Sequence, residues 1–576
     1  MSIFDIFRKK KKLDAPWSKF YTDQDLNYKI PNISMYDQVK LSTKKYPNNT
    51  AIKYMGKKIN YKKLLRKIDN CAKGFYDLGI RKGDIVTILL PNVPEVLISL
   101  YALNKIGAIA NMTHPLSAEE EIKETLISTN SKFLIIYDAQ YEKIKNFVKT
   151  LQVKKVIFVS PGDSLNKFKN LIYDISQLRK FKHHPKDKLY IEWTRFIFKS
   201  KFKKDVPEIK YGKNTPAVIL HSGGTSGKPK NVVIQNRAFI FAAKGEQIDL
   251  IRLTPGDSAL AIMPNFHGFG LSVLMHTPLA LGCSTILVPK FNAKKFDTLF
   301  KETKPTCVLG VPTLFEALSN SNNEKNLDLS FLKYVISGGD LLPKNLEDKI
   351  NKYLEDHNST ARITQGYGLS EALACVTMAH DHVNKSGSVG IPLAGNYVKI
   401  IDPNTRKKVK FNETGEIVIN SKALMMGYLN DESETNEALQ IHDDGHIWLH
   451  TGDLGYMDED GFLFYKGRIK RMIITSGYNV YPSHIEEVIE KHPYVLQCTV
   501  VGVPHPYKQE VPKAFIVLKE GVSGIFARAQ IRDYARKNLA KYMVPSEFIF
   551  RKNLPRTKLG KVDFQKLKSD VGESDE

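Results

Sequence analysis

Residues 221–232 read HSGGTSGKPKNV, and the chemistry of this stretch decides how the rest of the chain is read. The apolar run Ala217-Val218-Ile219-Leu220 predicts a strand leading into it. Ser222, Gly223, Gly224, Thr225, Ser226 and Gly227 follow, with Lys228 and Lys230 just beyond. Glycine permits backbone turns that a Cβ would block. Free N–H groups, small hydroxyls and ammonium groups in close succession cradle phosphate oxygens. The stretch therefore points to a nucleoside triphosphate. It is not the common phosphate loop, G-x-x-x-x-G-K-[ST]. Gly223 and Gly227 stand one residue too close, and Pro229 replaces the magnesium-binding hydroxyl. The plain alternative is a surface turn rich in Gly, Ser and Thr.

At 576 residues the chain exceeds what one core supports, so two or more domains are expected. Its 42% hydrophobic and 25% charged residues are ordinary for a globular protein. The most apolar stretch, Ile85 to Met112, is interrupted by Pro91, Pro94, Glu95 and Lys105, which argues against a membrane-spanning helix. Cys71, Cys283, Cys307, Cys375 and Cys498 are widely spaced without a C-x-x-C pair, which fits a reducing compartment. The net charge of +24 comes mostly from lysines scattered along the chain. A basic surface attracts polyanions such as nucleic acid, anionic lipid or CoA, and lysines merely filling exposed positions give the same charge; no nucleic-acid motif accompanies them, so no nucleic-acid partner is expected.

The first residues, MSIFDIFRKKKKL, place Ile3, Phe4, Ile6 and Phe7 on one side of a short helix before a basic run. That is the composition of a membrane-surface anchor, and equally of a solvated tail. The expected location is the cytoplasm, with peripheral contact at the inner face of the membrane through residues 1–30.

From 35 to 180 helical and strand patterns alternate, with a helix expected over Tyr61–Leu78 and buried strands at Ile85–Leu90 and Phe133–Tyr137. Such alternation predicts parallel sheets in an α/β architecture. Residues 180–212 are basic and poorly periodic and read as a long connection. The alternation resumes from 215 to about 400, and a small β-rich subdomain is expected from Val398 to Tyr465. The last hundred or so residues read as a separate α+β unit. There Ser483 to Glu486 fits a capping box before the Ile485/Val488/Ile489 stripe.

Further motifs follow in order. They are Pro264-Asn265-Phe266-His267-Gly268-Phe269-Gly270, then Ser337-Gly338-Gly339-Asp340, then Gln365-Gly366-Tyr367-Gly368-Leu369-Ser370-Glu371. After these come Thr451-Gly452-Asp453, Gly467-Arg468-Ile469-Lys470 and Pro555-Arg556-Thr557-Lys558-Leu559-Gly560-Lys561. Together with 221–232 this set resembles the acyl-adenylate-forming superfamily, and within it the acyl-CoA synthetases. The resemblance implies an AMP-binding N-terminal domain over 31–468, a hinge about 469–470 and a smaller, mobile C-terminal lid over 471–576. It implies ATP, Mg2+ and CoA as reaction partners beside a carboxylic acid.

The same resemblance assigns roles. Lys561 is the cation on the reacting carboxylate and α-phosphate, Glu371 the magnesium ligand, and Asp453 with Arg468 the partners of the ribose hydroxyls. Tyr367 covers the adenine, Gly338, Gly339 and Asp340 run along it, and Gln365, Gly366, Gly368 and Ser370 complete the nucleotide site. His267 stands near the acyl carboxylate, although a histidine among aromatic residues is often a core residue. Lys470 is the hinge residue. Ser476, Gly477 and Tyr478 would line the thiol tunnel after rotation of the lid. Asn231 stands where the family carries glycine, a change expected to stiffen the phosphate loop.

These residues fit a two-step chemistry. A carboxylate attacks the α-phosphorus of ATP and expels pyrophosphate; a thiol then attacks the acyl carbon and expels AMP. The first step builds negative charge and needs positioned cations and N–H donors. A medium- or long-chain fatty acid is the expected substrate, with coumarate-type aryl acids and transfer to a separate carrier protein as alternatives. A non-enzymatic, nucleic-acid-binding scaffold would leave Lys561, Glu371, Asp453 and Arg468 without a purpose.

Overall fold

Two large twisted sheets take up the alternating strand and helix patterns of the N-terminal region. In the computed structural model, residues 11–160, 162–165, 187–222, 230–249, 252–292, 295–320, 327–379, 382–475, 478–557 and 561–572 are described. Among them, one eight-stranded sheet runs in the order Gly427–Tyr428, Lys230–Gln235, Pro216–Ser222, Ile109–Met112, Ile85–Leu89, Phe133–Tyr137, Lys155–Val159, Tyr190–Glu192. The nine-stranded sheet centres on Tyr334–Ser337, Cys307–Gly310, Ser258–Ala261 and Ser284–Leu287, all paired in parallel. The helices Tyr61–Asp77 and Pro94–Lys105 pack between the sheets. The first presents Leu64, Ile68, Cys71, Ala72 and Phe75 at helical spacing, all fully buried. Pro94–Lys105 is buried nearly all round, as its lack of a polar face requires.

The β-rich subdomain is an antiparallel sheet of Tyr397–Ile401, Gly415–Asn420, Ile447–Met457 and Leu439–Ile441, with Leu463–Arg468 paired to the long strand. A smaller C-terminal domain then builds its own core. Its sheet holds Tyr478–Val480, Ile473–Thr475, Gln509–Leu518, Val495–His505 and Glu547–Phe550. Ile485 and Ile489 of helix Pro482–Glu490 and Ile531 and Ala535 of helix Gly524–Asn538 pack on one face. Leu567 packs against Val501, Val503 and Phe515 on the other.

Two expectations are corrected. Residues 180–212 are not simply a connection, because they contain the edge strand Tyr190–Glu192 and the helix Trp193–Ser200. Its buried stripe, Trp193, Phe196 and Ser200, spans only two turns and is hidden among lysines. The capping box at Ser483 does not form. Pro482 opens the helix, so Ser483 already lies inside it, and its hydroxyl donates to the carbonyl of Lys466 instead. Glu486 turns to Arg471 and to the Val500 N–H.

No helix among the described residues is long and apolar enough to cross a membrane.

Candidate active site

Asp453 and Arg468 are cross-strand partners in the β-rich subdomain. The Arg468 Nε lies 2.7 Å from Asp453 Oδ1, and the Tyr367 hydroxyl donates to Oδ2 at 2.7 Å. The local chain aims this carboxylate by a series of bonds. The Asp453 N–H donates to Thr451 Oγ1 at 3.0 Å, the Thr451 hydroxyl to the Ile417 carbonyl at 2.6 Å, and the Gly452 N–H to Glu416 Oε1 at 3.1 Å. Gly452 has φ +66°, which glycine adopts freely. Asp453 is only 2% exposed. Burial pushes its carboxyl up, against the pull of Arg468, the Tyr367 hydroxyl and Lys561. A guanidinium does not release its proton in this range, so the two stand as an ion pair. Tyr465 packs beside Tyr367 with ring centroids 5.9 Å apart.

The glycine motifs lie on the strand ends facing this pair. Gly338 follows Tyr334–Ser337, and a Cβ there would press on Phe269 at 3.4 Å. Gly339 has φ +80° and leads to the exposed Asp340. Gln365 uses its side-chain oxygen to accept the Leu342 N–H at 3.2 Å, which ties the two motifs together. At Gly368 a Cβ would lie 1.2 Å from the Ala374 carbonyl oxygen, so the chain folds back on itself there. The turn Ser370–Ala372 then presents Glu371, and Leu373 and Ala374 follow with φ +52° and +79°. A left-handed backbone at two successive non-glycine residues is strained.

Glu371 has a partner that no sequence motif announces. The Tyr428 hydroxyl donates to Glu371 Oε1 at 3.1 Å, and the Met425 N–H donates to the Glu371 carbonyl at 2.7 Å. Lys230 sits over the Tyr428 ring at 4.8 Å and pairs with Glu434. Glu371 is partly exposed, and no group of three or more metal-ligating side chains exists among the described residues. A single open carboxylate fits Mg2+, which takes one or two protein carboxylates and fills its shell with water and substrate phosphates.

Ser222 ends a strand whose neighbour begins at Lys230, with His221 opposite Asn231 and Ser222 opposite Lys230. The phosphate stretch thus joins two antiparallel strands, whereas the common phosphate loop precedes a helix. Asn231 reaches outward, its Nδ2 donating to Ser128 Oγ at 3.3 Å while its carbonyl accepts the Leu429 N–H at 2.8 Å.

His221, His114 and His267 gather with Phe266. The His114 and Phe266 rings are 4.5 Å apart, and His221 Nε2 lies 2.8 Å from Asn111 Oδ1. Burial lowers His267 to about 4, helped by the charge of Lys561 and the neighbouring His114 and His221. Burial likewise lowers His221 to about 4. Both are neutral imidazoles at neutral pH.

Lys561 comes from the C-terminal domain. Its carbonyl accepts the Thr557 N–H at 2.7 Å, and a β-bridge between Arg556 and Val562 closes the loop behind it. The side chain is open to solvent on one side yet closely walled, and desolvation lowers its pKa against the pull of Asp340 and Asp453. It therefore faces the cleft that Asp340, Asp453, Arg468 and His267 line. Just past the hinge, within the C-terminal domain, Arg471 pairs with Glu486 at 2.7 Å and stacks on Phe564 at 3.6 Å, and Lys470 is exposed. Gly223, Gly224, Thr225, Ser226, Gly227, Lys228, Ser476 and Gly477 lie outside the described residues. Tyr478 begins the strand Tyr478–Val480.

Over residues 39–429 the chain matches the AMP-binding enzyme family, and over 484–561 the AMP-binding enzyme C-terminal domain. The chain belongs to the AMP-binding enzyme family. This AMP-binding enzyme is 33% identical over 561 residues to the long-chain-fatty-acid–CoA ligase of Bacillus subtilis (strain 168), covering 95% of this chain and 96% of that protein. It is 31% identical to the probable 4-coumarate–CoA ligase 1 of Dictyostelium discoideum, covering 87% and 88% of the two chains. Its fold is that of the anthranilate CoA ligase AuaEII in complex with anthranoyl-AMP, with TM-score 0.82, 22% identity, and 95% and 98% of the chains covered. The protein is thus an ATP-dependent acid–thiol ligase of the acyl-CoA ligase group.

Proposed function

We propose that this AMP-binding enzyme converts a medium- or long-chain fatty acid to its CoA thioester through an acyl-AMP. The observation that carries the adenylation step is Lys561 facing Asp340, Asp453 and Arg468 in one cleft. The acid's carboxylate oxygen bonds to the α-phosphorus as the bond to pyrophosphate breaks. Lys561 neutralises the charge that builds on the α-phosphoryl oxygens, and the N–H groups and lysines of 223–230 hold the leaving phosphates. Asp453 accepts from the ribose hydroxyls, with Arg468 beside it and Tyr367 fixing the carboxylate. Gly338, Gly339, Gly366 and Gly368 let the purine approach the backbone. His267, held neutral by burial, would meet the carboxylate end of the acyl group. Bound at Glu371, Mg2+ would offset phosphate charge.

For the thioester step the lid rotates about Ile469-Lys470, Lys561 withdraws, and 476–478 line the path of the CoA thiol. That rotation must break the Ser483–Lys466 contact, which gives it a structural cost. The fatty-acid reading is supported by likeness to the Bacillus ligase over nearly the whole of both chains. The likeness to 4-coumarate–CoA ligases favours an aryl acid as the second reading. We place the enzyme in the cytoplasm, with the N-terminal extension contacting the membrane from inside.

The test is mass spectrometry of products from ATP, Mg2+, CoA and pooled acids, from acetate through palmitate and oleate to coumarate and benzoate. A dominant fatty acyl-CoA is expected. A dominant coumaroyl-CoA would replace the substrate assignment, and adenylation without a CoA thioester would point to a carrier protein as acceptor.

A further inference from the structure

Helix Trp193–Ser200 is seated by one face and bare on the other. Phe196 stacks on Phe75 with ring centroids 5.2 Å apart, and Gly74 makes room for it, since a Cβ there would lie 2.0 Å from Ser200 Oγ. The helix is therefore docked firmly on Tyr61–Asp77. On its outer face and the turn beyond, Phe198 and Phe202 are 60% and 76% exposed. Their rings meet edge to face, 5.6 Å apart, so they form one continuous apolar ridge.

The segment that carries the ridge is basic throughout, with Glu192 and Asp205 at its two ends and Asp77 beside Lys203. Residues 193–204, WTRFIFKSKFKK, contain Arg195, Lys199, Lys201, Lys203 and Lys204 and no acidic residue. Lys203 is paired with Asp77 at 2.9 Å, and Lys201 stands over the Phe198 ring at 5.6 Å. Arg195, Lys199, Lys201 and Lys204 have no carboxylate within ion-pair distance among the described residues. An apolar ridge ringed by unneutralised cations has the chemistry of a surface that inserts aromatic side chains among acyl chains and rests its cations on anionic headgroups.

We propose that Phe198, Phe202 and the cations beside them dock this enzyme on an anionic lipid bilayer. The site belongs to a different stretch of the sequence from the N-terminal extension and does not depend on which acid the enzyme activates. A bilayer fits better than a nucleic-acid strand because the rings stand exposed on the helix and on the turn beyond it, whereas single strands bind in grooves that track the phosphates. Each cation close to an anionic surface favours the bound state about fivefold, and each inserted phenylalanine contributes on the order of tenfold.

The test is co-sedimentation of the full chain with phosphatidylglycerol–phosphatidylcholine vesicles and with pure phosphatidylcholine vesicles. Binding to the anionic vesicles is expected, weakened at least tenfold in F198S/F202S and in K199E/K201E/K204E. A chain lacking residues 1–12 should keep the part that depends on Phe198 and Phe202. Circular dichroism and adenylation of a water-soluble acid should be unchanged in F198S/F202S, showing that the variant is folded. The proposal is overturned by no vesicle binding, by binding lost entirely with residues 1–12, or by F198S/F202S binding as tightly as the parent. Sensitivity to the lysine changes but not to the phenylalanine changes also overturns it, and would indicate a soluble polyanion instead.

Discussion

Arg468 reaches straight across an antiparallel ladder to Asp453, its register partner, and meets Oδ1 at 2.7 Å. Neither residue needs a loop to bring it to the other, so the pair is as rigid as the sheet that carries it. Asp453→Asn should raise the KM for ATP tenfold to a hundredfold, the order expected for hydrogen bonds to a charged group. Tyr367→Phe should do the same more weakly, because it loosens the carboxylate without removing it. Steady-state kinetics in ATP decides; an unchanged KM for Asp453→Asn would remove the ribose assignment.

Lys561 and the cleft it faces belong to different domains, and the rotation proposed above would confine its role to one lid position. Lys561→Ala should slow acyl-AMP formation about 10²- to 10³-fold, as for the loss of one transition-state donor. Thioester formation from preformed acyl-AMP should stay within a few fold. Equal loss in both half-reactions, measured by single turnover, would sink the assignment.

Tyr428 bonds to Glu371 through its hydroxyl and carries Lys230 over its ring, which makes it a positioning residue. Tyr428→Phe should raise the Mg2+ concentration for half-maximal adenylation about tenfold, the usual penalty for losing a bond that orients a metal ligand. Its KM for the acid should not move. A titration of activity against Mg2+ in both proteins gives the answer.

Burial lowers His221 and His267 to about 4 and His276 to about 3. Below an unfolded value of about 6.5 the unfolded chain binds protons that the folded chain refuses. The stability these groups contribute is therefore complete above about 6.5 and is lost as pH falls toward 4 and below. Glu246, held up at about 8 by burial, acts with the opposite sign: its contribution is present at low pH and is lost as pH rises through 8. Melting temperature against pH should fall on the acid side, and less steeply in His267→Gln. An identical acid limb in that variant would show that His267 is not neutral in the fold.

The helix Tyr61–Asp77 and the strand Phe133–Tyr137 were legible because a repeating apolar pattern of adequate length carries its own period. Trp193–Ser200 was not, since a buried stripe of three residues is too short to stand out from the lysines around it. The nucleotide motifs were legible for a different reason: each is a compact local pattern. Their supports were not. Tyr428 stands 57 residues from Glu371 and Ser483 lies 17 from Lys466, and neither pair has a spacing that a linear pattern reveals. Ser483 in particular has the look of a helix cap, but with Pro482 opening the helix the cap position falls on Tyr481 and Ser483 lies two residues too far in.

Leu373 and Ala374 hold left-handed backbones just after Glu371, and relieving that strain carries consequences for durability and turnover alike. At Leu373, fully buried in the core, glycine would open a cavity that costs more than the strain it relieves, whereas glycine at Ala374 would relax the turn and is the obvious choice for anyone seeking a hardier catalyst. It would also give the neighbouring carboxylate more room to wander, so the tougher protein would be the slower one. Selection for heat resistance should therefore find its gains elsewhere in the chain and leave these two side chains alone.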